Sequence, residues 1–243
     1  MQSIQLLAAK QLASQSATPS GSNSVPTLSP LQPASPYLVI DSAFTAFNPA
    51  IHRAASAALA AVKQWTKDAY SGDGRGLVLW ANVQGIPGGV GWGYGNGKTL
   101  LARCAANALY ATLTISTPGG EIPDRTGVFL TTEQFKDAIM QSYDSHSTSD
   151  YLRQFRQARF VIMDDFGVEH VRPDSLGWWQ EQLYKLTNYA YDAHQPFLLT
   201  SNMTPDEMQA RMGGKNWSRL FGMCQERGFI NVSEIPDQRR KPR

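Results

Sequence analysis

Seven consecutive residues, Gly93-Tyr94-Gly95-Asn96-Gly97-Lys98-Thr99, concentrate more potential chemistry than any other stretch of the chain. Their glycines let successive backbone N–H groups turn inward around an anion. Lys98 adds a compact positive charge suited to outer phosphates, and the Thr99 hydroxyl is a hard oxygen donor suited to Mg2+. The residues from Lys98 to Leu109 read as a helix, whose first turn presents unpaired N–H groups and a positive dipole end to the same anion. The expected phosphate contacts are therefore Gly93, Gly95, Asn96, Gly97, Lys98, Thr99 and Leu100. The strict phosphate-loop pattern puts a glycine five positions before the Gly-Lys pair. Trp92 stands there, so the motif departs at its first position. The competing reading of the same residues is a glycine-rich surface loop.

About 65 residues further on, Phe160-Val161-Ile162-Met163 reads as a buried strand and ends in Asp164-Asp165. Carboxylates at the carboxyl end of a central strand lie where open α/β sheets bind their ligands. Asp164 suits Mg2+, directly or through water, and Asp165 suits orienting or deprotonating an attacking water. Alone this is a strand running into a polar turn; after the glycine-rich loop, in this order, the pair points to a nucleoside triphosphate. A second buried run, Leu198-Leu199, ends in Thr200-Ser201-Asn202. Asn202 suits contact with the terminal phosphate or the attacking water, although these residues equally suit a turn before the next helix.

The elements that must position these groups alternate between helix and strand. Pro49–Ala69 reads as a helix with Ile51, Ala54, Ala55, Ala58, Leu59, Val62 and Trp65 on one face. Leu77–Trp80 reads as a buried strand, and half of the chain's 20 glycines then fall between Gly72 and Gly97. Downstream come a strand at Val128–Thr131, helices at Thr132–Tyr143 and Tyr151–Gln157, and the acidic strand. A long helix at Leu176–Ala193, a strand at Phe197–Thr200 and a last strand at Phe229–Val232 complete the pattern. Thr204-Pro205-Asp206-Glu207 is a capping box, and Gly213-Gly214 is expected to close the helix it opens. Such alternation predicts a parallel sheet covered on both faces.

Composition bounds the remaining possibilities. Among 243 residues, 42% are hydrophobic, enough for a real core. The net charge of +2 gives no bulk argument for nucleic acid, so such a surface must be a local patch. Lys136, Arg153, Arg156 and Arg159, interleaved with Tyr151 and Phe155, are one such candidate, against the simpler reading of a solvated helix face. No run of eighteen apolar residues predicts a membrane span. Cys104 and Cys224 lie far apart and the histidines show no ligand spacing, so neither a disulfide framework nor a structural metal is expected and a reducing setting is. Residues 1–36 are rich in serine and proline and read as a disordered tail, either a linker or a partner-binding arm. The functional domain is expected over residues 37–243.

Several ordered blocks carry a family resemblance. Asp164-Asp165-Phe166-Gly167-Val168-Glu169, Glu181-Gln182-Leu183-Tyr184, Asn188-Tyr189-Ala190-Tyr191, Thr200-Ser201-Asn202, Ser218-Arg219-Leu220 and Met223-Cys224 resemble the DnaC/DnaI-type helicase loaders. They equally resemble the IstB-type transposition ATPases; both groups are of the AAA+ class. The resemblance spans roughly Phe44 to Arg240. It implies an α/β P-loop NTPase with a parallel five-stranded sheet in the order 5-1-4-3-2 and a small or absent helical lid. It further implies ATP and Mg2+ as ligands, Lys98 and Thr99 as phosphate and metal contacts, Asp164 and Asp165 as the acidic pair, and Asn202 as the sensor. Arg219 matches the finger that reaches a neighbouring subunit's ATP, with Arg211 and Lys215 as nearby basic alternatives. Arg239 matches a late nucleotide-sensing arginine, although residues 239–243 also read as a solvated basic tail.

The implied function is a Mg2+-dependent ATPase of DNA replication, acting on a replicative helicase with single-stranded DNA. It would work as a homo-oligomer in the cytoplasm of a bacterial or phage-infected cell. The alternatives are an IstB-like transposase helper and a non-hydrolysing nucleotide-gated adaptor. Two departures bear on these expectations. A glycine-rich insertion over residues 81–92 separates strand from loop, and no amino-terminal helicase-binding domain is visible before Tyr37.

Overall fold

A computed structural model describes residues 44–82, 94–123, 127–144 and 148–238. The serine- and proline-rich tail, most of the insertion with Trp92 and Gly93, and Arg239 lie outside these residues.

The first helix starts later than its periodicity suggests. Pro49–Ile51 forms a single 3-10 turn capped by Asn48, whose side chain accepts from the Ala50 N–H. The α-helix proper, α1 (Arg53–Tyr70), begins after His52, whose Nδ1 accepts from the Ala54 N–H. Proline at the start suits a turn that needs no donor there, and the extended backbone of His52 resets the helix. Ala55, Ala58, Val62, Trp65 and Ala69 then form the buried stripe of α1.

The sheet holds β1 (Gly76–Trp80), β4 (Val128–Thr131), β5 (Val161–Phe166), β6 (Phe197–Ser201) and β7 (Phe229–Asn231), in the order β4-β5-β6-β1-β7. All four pairings are parallel. Numbered within this sheet alone, the order is the expected 5-1-4-3-2. Alternation along the central strands divides the core. Leu77, Leu79, Ile162 and Leu198 face α1 and α2 (Lys98–Thr112). Val78, Val161, Met163, Phe197 and Leu199 face the opposite layer, where α3 (Thr132–Asp144), α4 (Thr148–Gln157), α5 (Leu176–Asp192), α6 (Pro205–Met212) and α7 (Gly214–Cys224) lie.

Two elements go beyond the sequence reading. Thr114–Thr117 (β2) and Gly120–Pro123 (β3) form an antiparallel hairpin of their own. Residues 213–214 do not end helical structure. Gly213, at φ 83°, closes α6, and its carbonyl accepts from Trp217 N–H to open α7. The acidic strand also runs further than its apolar run suggests, through both aspartates to Phe166.

Candidate nucleotide site

The carboxyl ends of β1, β5 and β6 converge on the start of α2. Gly97 precedes α2 with φ 89°, a left-handed conformation, and provides no side-chain cap. No side chain caps the first turn of α2, and a helix start of this kind can turn its N–H groups to an external acceptor. A Cβ on Gly97 would sit 2.5 Å from the Phe47 ring, so both the backbone angle and the space require glycine. The loop is also tied to both ends of the described chain. Asn96 Nδ2 donates to Val232 O at 3.1 Å, and Gln238 N–H donates to Gly95 O at 2.8 Å. Gln238 Oε1 in turn accepts from Asn48 N–H at 3.3 Å.

Lys98 is the centre of the site. Its Nζ donates to Asn96 Oδ1 at 3.0 Å and to Asn202 Oδ1 at 2.8 Å. Thr99 Oγ1 donates to Asp164 Oδ1 at 3.1 Å. The structure therefore brings together Asn96, Lys98, Thr99, Asp164 and Asn202 from three separate segments. Burial lowers the Lys98 pKa to about 8, against the opposing pull of the Asp165 and Asp164 charges. Burial likewise raises the pKa of Asp164, opposed by hydrogen bonds from Thr200 and Thr99. Each charge is thus held where its ionised form is costly until an opposite charge arrives.

The donor set suits a magnesium ion brought with a polyphosphate. A threonine hydroxyl and an aspartate carboxylate in direct contact offer two hard oxygens, and Mg2+ typically takes its remaining positions from water and phosphate. Among the described residues, no group of three His, Cys, Asp or Glu could hold a metal by itself.

Other expected residues fall elsewhere. Arg219 lies on α7, where its Nε donates to Asn188 Oδ1 at 3.0 Å and its guanidinium lies 4.8 Å from the Tyr191 ring centroid. Both partners belong to α5, so Arg219 is not part of the Lys98 cluster of its own chain. Arg211 is committed to Glu169: its Nε donates to Glu169 Oε1 at 3.0 Å, and its Nη2 to the Glu169 carbonyl. The basic track proposed for single strands does not assemble as a stacking surface. Tyr151 and Phe155 are 1% exposed within the core, and Lys136 is buried against Glu133 and the His170 carbonyl. Trp179 is fully buried, and Trp178 packs beside it and Tyr143. A cleft of about 720 Å³ lined by Phe44, Lys63, Lys67 and Tyr70 lies between α1 and the end of α2, away from this chemistry.

Sequence reasoning gave no role to two residues that brace the acidic pair and the turn after it. Thr200 donates to Asp164 Oδ1 at 2.5 Å, and the fully buried Glu169 side chain accepts from Gly167 N–H at 2.7 Å. Their signal was a polar residue at the end of an apolar strand and a carboxylate just beyond the acidic pair.

No protein-family model matches the chain. The phage-like element PBSX protein XkdC of Bacillus subtilis (strain 168) is 29% identical over 133 residues, which is 54% of this chain and 45% of that protein. The chain thus matches less than half the length of this curated relative. Among solved structures, the DnaC helicase loader superposes with a TM-score of 0.55 at 16% identity, covering 77% of this chain and 97% of that one. AMPPCP-bound DnaA from Aquifex aeolicus gives a TM-score of 0.56 at 15% identity, covering 82% of this chain and 51% of that one. Among the described residues no helix is long and apolar enough to cross a membrane. With its parallel sheet, strand order and loop-to-helix geometry, the chain shares the fold of these DnaC helicase-loader and DnaA structures.

Proposed function

We propose that this chain binds ATP with Mg2+ at the loop opening α2 and hydrolyses it as a replication factor of the helicase-loader kind. The observation that carries the reading is the convergence of Lys98, Thr99, Asp164 and Asn202 at one sheet edge, beside an uncapped helix start. The first-turn N–H groups of α2 and the backbone of residues 95–97 bind the phosphates, with Gly93 continuing the loop. Lys98 leaves its two amide acceptors for the outer phosphates. Thr99 and Asp164 would hold Mg2+, which neutralises phosphate charge when bound. Asp165 orients or deprotonates the attacking water, and Asn202, freed from Lys98, contacts the terminal phosphate. Arg239, one residue beyond the Gln238 that touches the loop, supplies a further cation to the nucleotide.

Hydrolysis on this reading requires assembly. Arg219 sits apart from its own chain's Lys98 cluster, as an arginine serving a neighbouring copy must, and it would offset charge developing on that copy's γ-phosphate. The fold shared with the DnaC helicase loader supports a replicative helicase as partner, with single-stranded DNA as the ligand the two would share. The test is ATP binding and turnover by wild type, Lys98→Ala and Arg219→Ala, with and without single-stranded DNA. Lys98→Ala is expected to lose both, and Arg219→Ala to lose turnover while keeping ATP. Wild type that binds no ATP refutes the reading, and loss of binding in Arg219→Ala refutes the trans role.

A further inference from the structure

We propose that Thr200 is the positioning residue of the acidic pair, its hydroxyl filling a bulge in β5 and so turning Asp165 toward the phosphate loop. The proposal rests on the nucleotide-site reading above. The ladder between β5 and β6 is regular from Val161↔Phe197 to Met163↔Leu199 and resumes at Phe166↔Ser201. Three steps along β5 thus match two along β6, which places one extra residue at Asp164–Asp165. Asp165 absorbs it with φ 57°, a left-handed conformation that an aspartate adopts only where its surroundings dictate.

The bulge decides which way the carboxylates face. Ile162 packs on the α1–α2 side and Met163 on the opposite side. Regular alternation sends Asp164 to the α2 side, where it meets Thr99, but sends Asp165 into the second apolar cluster. Instead Asp165 is half-buried. Phe166, fully buried in the second cluster, takes the inward place.

Side chains take up backbone groups at the bulge and just beyond the strand end. Thr200 Oγ1 accepts from Asp165 N–H at 2.9 Å while donating to Asp164 Oδ1 at 2.5 Å. Ser201 Oγ donates to Phe166 O at 2.8 Å, and Glu169 accepts from Gly167 N–H at 2.7 Å. Of these, Thr200 alone is bonded to both aspartates. A hydroxyl has a single proton to give, so bonding both fixes the relative placement of the two carboxylate-bearing residues.

Thr200→Val keeps the shape and removes both bonds; Thr200→Ser keeps them. The readouts are melting temperature, affinity for a fluorescent ADP analogue with and without Mg2+, and steady-state ATP turnover. Thr200→Val is expected to bind metal-free nucleotide within about threefold of wild type, to lose the Mg2+-dependent gain in affinity, to raise KM for ATP with Mg2+ by about that same factor, and to lower kcat about a hundredfold. Thr200→Ser is expected to recover both properties to within about threefold of wild type. If the valine variant does not fold, Thr200→Cys, close in shape and weak as a hydrogen-bonding group, must show the same losses. A valine or cysteine variant within about twofold of wild type in kcat and Mg2+ response overturns the proposal, as does a serine variant equally impaired. Those results leave the nucleotide-site reading standing; wild type that binds no nucleotide sinks both.

Discussion

Replacing Lys98 by methionine should make the empty protein more stable near neutral pH while removing its nucleotide affinity. Burial brings the lysine pKa from 10.5 to about 8. At 1.36 kcal/mol per unit, holding this charge in the folded chain costs about 3 kcal/mol below pH 8 relative to the unfolded chain. The sign follows from proton counts. The folded pKa is the lower one, so between pH 8 and 10.5 the unfolded chain binds more protons and stability rises with pH across that window. Methionine removes the cost but leaves Asn96 Oδ1 and Asn202 Oδ1 without their lysine donor, a loss of about 1–3 kcal/mol with partial rewetting at the half-buried Asn202. The net gain is therefore about 1–2 kcal/mol at pH 6.5. It should vanish or reverse by about pH 10, where lysine is largely neutral and keeps its two bonds. Urea denaturation of wild type and Lys98→Met, without nucleotide, at both pH values measures the difference. A methionine variant less stable at pH 6.5, or a difference that does not change with pH, refutes the reasoning.

Gly97→Ala should cost about 1–2 kcal/mol for the left-handed backbone alone, and more for the Phe47 contact, with nucleotide affinity falling at least about tenfold in a fluorescence titration. Unchanged affinity would mean the loop does not need this conformation. Arg211→Ala strips the wholly buried Glu169 carboxylate of its cation. Because Glu169 keeps the Gly167 N–H and Arg211 is partly exposed, the loss should sit near the lower end for such pairs, about 3 kcal/mol or roughly 8 °C in melting temperature. Glu169→Gln combined with Arg211→Met should recover most of it; a double variant as unstable as Arg211→Ala would place the cost elsewhere. Cys104 and Cys224 are buried thiols, and burial pushes the Cys104 thiol up to about 11 and Cys224 higher still. Iodoacetamide at pH 8 should modify both at least about a hundredfold more slowly in native protein than in urea, as mass spectrometry over time would show.

The apolar runs at 77–80, 161–163 and 197–199 announced the central strands because strands covered on both faces need apolar residues throughout. Strand order did not follow from those runs; it came with the family resemblance and agrees with the structure. The β2–β3 hairpin was legible in principle, since Pro118-Gly119 sits between two short runs containing β-branched residues. It escaped because each strand is only four residues long. The start of α7 was hidden by a diglycine that both ends one helix and opens the next. Arg153, Arg156, Tyr151 and Phe155 alternate in sequence, but helical geometry of 100° per residue sends the rings inward and the arginines outward. The glycine-rich lead into α2 and the acidic end of β5 were legible because each lies in one short stretch of sequence. The Thr200 and Glu169 contacts were not, because a bulge is a mismatch between two strands and one sequence shows only one of them at a time.

The braces around the loop give the site a physical logic that no single motif contains. A glycine-rich loop is entropically expensive to order, and a nucleotide that must order it loses that free energy from its affinity. Here the ordering comes from folding itself: Gly95 is held by Gln238, Asn96 by Val232, and Gly97 lies under Phe47. These partners flank the sheet at the far ends of the described chain, so the loop acquires its shape only once β7 has paired with β1. The same folding step bonds Lys98 to two neutral amide oxygens. Amide oxygens are weaker partners for an ammonium than charged oxygens are. On the proposed function a polyphosphate would displace them at little cost, and Asn202 would be released in the same event.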